Sequence, residues 1–237
     1  MKTKKLFLGI ALAIAMLPSL SNADSRTLTA DRDNTIYYNH DEESYSDSLS
    51  NGSGGSFVAG TVNTPNYYRR ALIHFDLSRL AGGTVDSVVL KIHAQQNARH
   101  DETARHFTLH KLNQEWKQGD SEAADPGRGT QAQTNDATWK WSVYPNSLWT
   151  TEGGNFVETA SATTGTLTDD LLDVDVFWRS SVSVNEQMKT DVQNWINNPS
   201  TNFGWLIKGI EGTDLRKATM FYSRESANKP TLTVYYH

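Results

Sequence analysis

The 237-residue chain has no cysteine and only six prolines. Absence of cysteine excludes disulfides and, after an apolar leader, a bacterial lipoprotein anchor; stability must come from a sizeable core. Few prolines, 16 glycines, 37% hydrophobic and 21% charged residues exclude a collagenous or disordered chain. Basic clusters are also missing, which argues against nucleic-acid partners, since phosphate binding needs gathered Lys and Arg. The sequence contains no Gly-x-Ser-x-Gly elbow, no His-Glu-x-x-His and no phosphate-binding loop. Hydrolase-triad, zincin and nucleotide readings therefore lack support.

Long apolar runs are scarce too. The one prominent run, Leu6 to Leu17, follows three lysines and precedes Pro18 and Ser21-Asn22-Ala23. It is too short for a membrane span, and its flanks read as a signal peptide cleaved after Ala23. Residues 24–237 are then expected as one exported domain, secreted or periplasmic, with no membrane span and a formal charge shifted from −5 to −8 by loss of those lysines. A monomer is the default expectation.

What the chain does have is strand-like alternation and aromatics: seven Trp, nine Tyr and eight Phe. Strands are predicted over 35–38, 56–60, 67–77, 85–95, 107–112, 139–141, part of 167–176, 204–209, 219–223 and 231–236. Met188, Val192, Trp195 and Ile196 share one face of a helix predicted over about 186–197, with Asn185 as its cap and Pro199 beyond its end. Strands at intervals around one short helix predict an all-β sandwich. Segments 42–55 and 119–136 read as polar loops, where binding residues tend to sit.

The run Tyr68-Arg69-Arg70-Ala71-Leu72-Ile73-His74-Phe75-Asp76-Leu77-Ser78 leads through Gly82-Gly83 to Val88-Val89-Leu90-Lys91-Ile92. Trp116, Thr138-Trp139, Asp191-Val192-Gln193-Asn194-Trp195, Asn202-Phe203-Gly204-Trp205 and Phe221-Tyr222-Ser223-Arg224-Glu225 follow in order. This order resembles the secreted DNRLRE-type domain, related to carbohydrate-binding module family 96, from about Ala30 to Tyr236, nearly all of the chain that follows the leader. The literal DNRLRE string is absent, and His74 stands where that family more often has Arg or an apolar residue. The resemblance implies a jelly-roll β-sandwich with one short helix, and alginate as the kind of ligand. It also raises the expectation of structural Ca²⁺, which jelly-roll binding modules often carry.

Within the strands, Ala71, Ile73, Phe75 and Leu77 alternate as one core face, and Val88, Leu90, Ile92 and Ala94 as another. The opposite faces carry the chemistry. If the strands neighbour one another, Tyr68, Arg70, His74, Lys91, His93, Gln95 and His110 line one face. Cations and hydrogen-bond donors there suit an anionic polysaccharide: arginine offers a planar fork for a carboxylate, and tyrosine a ring for a sugar face. Trp116, Trp141, Tyr144 and Trp149 are the candidates for sugar stacking elsewhere, or for packing the loop onto the sandwich. Three functions compete. The first is non-catalytic recognition of a polysaccharide such as alginate or another uronate polymer. The second is a polysaccharide lyase, with Arg70 or Gln95 neutralising the uronate, His74 or His93 as base and Tyr68 as acid. The third is a structural or adhesive surface protein. Glu115 and Glu158 are available as a hydrolase pair, but no motif selects them.

No reading requires a cofactor. Asp31 and Asp33, with Asn34 and the acidic run 41–43, are candidates for a structural Ca²⁺ site. Zinc through His93, His106 and His110 is the weaker alternative.

Overall fold

The computed structural model describes residues 24–42, 45, 47–95, 104–167 and 173–237. The proposed leader, His100 and Glu43 lie outside the described residues. The strands in chain order are β1 (Asp24–Thr29), β2 (Arg32–Asn39), β3 (Leu49–Ser50), β4 (Ser56–Thr61), β5 (Tyr67–His74), β6 (Val85–Ala94), β7 (Thr108–Lys111) and β8 (Thr130–Gln131). Then follow β9 (Trp141–Val143), β10 (Ser147–Leu148), β11 (Ala162–Thr163), β12 (Val174–Arg179), β13 (Trp205–Lys208), β14 (Thr219–Tyr222) and β15 (Thr231–Tyr236). The helix α1 (Glu186–Asn197) lies between β12 and β13.

The fold is an all-β sandwich, as the alternation predicts. One sheet, here the β5 sheet, runs β2–β5–β13–β7–β11. The other, the β6 sheet, runs β12–β6–β15–β1, with β14 meeting β6 at Ala94 and carrying β4 beyond it. All these ladders are antiparallel. Strand β4 serves both sheets: Ser56–Ala59 pair with β14, while Gly60 and Thr61 pair with Arg69 and Tyr68 of β5. The crossing needs glycine. Gly60 has φ +109°, and a Cβ there would lie 2.4 Å from the Lys217 carbonyl oxygen.

The inward faces meet in the main core. Ala71 and Ile73 of β5 and Trp205 and Ile207 of β13 oppose Val88, Leu90, Ile92 and Ala94 of β6, with Phe221, Leu232 and Val234. Helix α1 adds the predicted stripe of Met188, Val192, Trp195 and Ile196 to this core. The expectation that Asn185 caps the helix through its side chain is corrected: it makes no capping hydrogen bond. Its amide is tied instead to the Thr163 backbone of β11, accepting from the N–H at 2.8 Å and donating to the carbonyl at 3.1 Å.

A third layer lies outside the β5 sheet. Outward-facing Ile36, Leu72 and Leu206 carry a second buried cluster with Leu112, Trp116, Ala137, Trp139 and Trp149. The segment from 112 to 157 thus folds onto the sheet. The polar loop 119–136 is part of this lid and is held at its middle and across its ends. Tyr37 Oη donates to the Pro126 carbonyl at 2.8 Å, and Asp136 accepts from the backbone N–H groups of Gln133 and Ser121. The prediction of a strand at 139–141 is corrected: Trp139 is buried in the lid, and the strand runs Trp141–Val143. Among the described residues, no helix is long and apolar enough to cross a membrane.

Candidate functional site

The shared polar face depended on β5 and β6 being neighbours, and they are not. They belong to different sheets, and their apolar faces point at each other across the core. Their polar faces therefore look in opposite directions. Tyr68, Arg70, His74 and His110 lie on the outside of the β5 sheet; Lys91, His93 and Gln95 lie on or beside the outside of the β6 sheet. The set named for β-elimination is not brought together, because His93 is separated from Tyr68, Arg70 and His74 by the whole sandwich.

On the β5 side the polar groups are engaged internally. Arg70 donates from Nε and Nη2 to Glu211 at 2.6 and 2.9 Å and from Nη1 to the Gly153 carbonyl at 2.7 Å. Its guanidinium also stacks 4.5 Å from the Trp139 ring centre. His74 is buried, with Nδ1 at 2.6 Å from Asp31 and Nε2 at 3.2 Å from the Asn202 carbonyl. His110 is buried between the Val157 carbonyl and the Thr108 hydroxyl, and that burial lowers its pKa. The Tyr68 hydroxyl donates to Asn66 and its ring stacks on Tyr38. Trp116 is fully buried, donating from Nε1 to the Phe203 carbonyl, and Trp149 is buried with Nε1 on the Thr138 carbonyl. Neither is a sugar platform. Trp141 and Tyr144 are half-exposed and pack edge to face on the lid surface.

The candidate calcium ligands diverge. Asp31 faces outward to His74 and Arg32. Asp33 faces the core, where Oδ2 accepts from the Arg224 N–H at 2.7 Å and burial pushes its carboxyl well above the usual range. Among the described residues no group of three His, Cys, Asp or Glu side chains gathers in metal-binding geometry. His93 and His110, named together for zinc, lie on opposite sides of the molecule.

The outside of the β6 sheet is open. Along β6 the residues alternate between buried Val88, Leu90, Ile92 and Ala94 and partly exposed Val89, Lys91 and His93. The register aligns Phe177, Lys91, Thr231 and Thr29 as one row across β12, β6, β15 and β1. Arg179, Val89, Thr233 and Thr27 form the next row, in which the two threonine hydroxyls are 2.9 Å apart. Each row spans roughly 14 Å at ordinary strand spacing. A groove of about 330 Å³ lies at one end, lined by Lys91, His93, Asp175, Thr231, Asn228 and Lys229.

His93 is the electrostatic centre of this groove. Nδ1 lies 2.8 Å from Asp175 and Nε2 2.9 Å from Asp173. Burial of the ring pulls its pKa down, but the hydrogen bonds to Asp175 and Asp173 outweigh that and hold it above the usual imidazole value. Burial likewise opposes ionisation of Asp175, yet His93 and Lys91 hold its carboxyl below the usual range. Lys91 reaches Asp175 at 3.5 Å, Tyr222 packs 5.6 Å from the His93 ring, and Arg179 lies 4.0 Å over the Phe177 ring. Lys229, Asn228, Phe177, Arg179 and Tyr222 are not among the site residues that the sequence suggests. The strand that supplies Phe177 and Arg179 was predicted only in part, and no local pattern marks the turn that brings Lys229 beside β6.

No protein-family model matches the chain, and no curated protein matches it.

Proposed function

We propose that the chain is a non-catalytic carbohydrate-binding domain that takes an anionic polysaccharide, such as a uronate polymer, along the open face of the β6 sheet. The observation that carries the reading is the contrast in cover. The β5 sheet is built over, whereas the β6 face presents Lys91, Lys229, Arg179 and His93, whose pKa its two carboxylate partners raise, beside Asp173 and Asp175. The cations attract carboxylates, the threonine rows offer hydroxyls to hydroxyls, and Tyr222 and Phe177 supply apolar surface for sugar rings. His93 has both ring nitrogens on carboxylates, so neither is left open to abstract a proton from a substrate.

Affinity electrophoresis tests this with alginate, pectate and hyaluronan in the gel and neutral dextran as reference. At least one anionic polymer should retard the protein, and the double variant Lys91→Ala/Lys229→Ala should migrate freely. Unretarded migration in all three, or retardation indifferent to the double variant, refutes the reading.

A further inference from the structure

A larger cleft of about 610 Å³ lies elsewhere, between the start of β5 and the turn at 125–129. It shares no lining residue with the β6 groove. Its floor is Arg69, an unusual residue to bury: 3% of its surface is exposed.

The guanidinium is fixed by neutral acceptors. Nε donates to the Gly127 carbonyl at 2.7 Å. Nη1 donates to the Tyr38 and Tyr68 carbonyls and to Asn39 Oδ1 at 3.1, 2.8 and 2.9 Å. The Tyr37 ring lies 4.9 Å beneath it. Nη2 makes no hydrogen bond, and Arg69 forms no ion pair, among the described residues. Buried guanidinium groups are normally paired with carboxylates, because an uncompensated buried charge is costly. Burial, only partly offset by Tyr37, Asp125 and Tyr67, pushes the Arg69 pKa down to about 10. One side of a rigidly held cation is thus left toward a cleft.

The walls define what fits there. Tyr67 presents a half-exposed ring, Arg128 a second, exposed cation whose Nε lies 3.4 Å from Asp125 Oδ2, and Asn63 an amide, all lining the cleft. Asp125 and Glu42 add two carboxylates at the rim. The turn carrying Asp125 and Arg128 is set, since Asp125 Oδ1 accepts from the Gly127 N–H and the Asp125 carbonyl accepts from the N–H groups of Arg128 and Gly129. Gly129 has φ +75°, and a Cβ there would meet the Tyr37 ring at 2.8 Å, so the turn sits directly on the floor. A dianionic phosphate would be repelled by the rim carboxylates. A single carboxylate carried on a ring of hydroxyls suits these walls: the carboxylate meets Arg69 and Arg128, a hydroxyl donates to Asp125, and the ring face meets Tyr67.

We infer that this cleft is a second binding site, for one carboxylate-bearing sugar such as a terminal uronate residue, with Arg69 as the fixed carboxylate anchor. The site does not depend on the β6 groove, and the test separates them by using monosaccharides.

Glucuronate and galacturonate are titrated into the full chain by calorimetry, with glucose, acetate and glycine as comparison ligands. A uronate should bind at least tenfold more tightly than glucose, acetate or glycine. Arg128→Ala and Tyr67→Ala, both at surface positions, should each weaken it by about tenfold, the equivalent of one charge-assisted contact. Arg69→Lys should abolish binding while its thermal midpoint reports whether the fold survives. Lys91→Ala/Lys229→Ala should leave uronate binding unchanged. Glucose binding as well as glucuronate, glycine matching it as a zwitterion, or no effect of Arg128→Ala and Tyr67→Ala would each overturn the inference.

Discussion

The two outer faces of the sandwich carry similar residues and put them to opposite uses. Arg70, His74 and His110 on the β5 sheet look, in sequence, like the Lys91 and His93 of the β6 sheet. The first set is roofed by the segment from 112 to 157 and satisfied by Glu211, Asp31 and backbone carbonyls. The second stays at the surface. A basic or imidazole side chain on an outward strand position is thus a binding group only if nothing packs over it. What decides is the apolar residue beside it: Leu72 and Leu206 hold a roof, whereas Val89, Thr231 and Thr233 do not.

The largest expected effect tests whether the roof is a true second core. Trp116, part of the roof, is fully buried against the sheet, whereas Phe177 on the open face is 37% exposed. Trp116→Ala should cost about 3–5 kcal/mol in urea denaturation, as large-to-small core substitutions do. Phe177→Ala should stay within about 0.5 kcal/mol, as for ordinary surface positions. Equal losses at the two positions would erase the distinction between the faces.

An intermediate effect is expected from the ion pairs. Arg70 and Glu211 are only 11% and 13% exposed, against 41% and 37% for Lys91 and Asp175. Glu211→Gln leaves a mostly buried guanidinium without its countercharge and should cost about 1–3 kcal/mol. Asp175→Asn, on the open side, should cost less than about 1 kcal/mol. A larger loss from Asp175→Asn than from Glu211→Gln in the same denaturation experiment would reverse the assignment of cover.

Much of the fold was legible. The alternation in β6 and the i, i+4, i+7, i+8 stripe of α1 each follow from a single periodicity, and both fell where expected. Strand β1 was missed because Asp24-Ser25-Arg26-Thr27 shows no apolar alternation; it is a polar edge strand held by its ladder to β15. The site was less legible for a topological reason. Which strands share a sheet is set by long-range pairing that no local pattern records. One local sign did exist. Leu72 stands on the supposed polar face of β5, and Ala71 to His74 are buried on both faces, which is the signature of a strand covered twice.

The smallest effect compares the two faces through one residue type, and its sign differs between them. His93, on the open face, has its folded pKa raised by Asp175 and Asp173 against the opposing pull of burial. Its stabilising contribution is complete below the unfolded value of about 6.5 and is lost as pH rises through the higher folded value. His110, under the roof, has its folded pKa lowered by burial. Its neutral ring fits the fold fully above about pH 6.5, and stability falls as pH drops from there through the lower folded value. Thermal midpoints measured from about pH 5 to pH 9 should therefore separate the two. His93→Gln should flatten the loss of stability on the alkaline side of 6.5, and His110→Gln should flatten the loss on the acid side. The slope is the readout, because His110→Gln also disturbs packing and shifts the whole curve. If both variants changed the slope on the same side, the two histidines would share one environment, and the division of the molecule into a roofed face and an open one would fail where it is most directly tested.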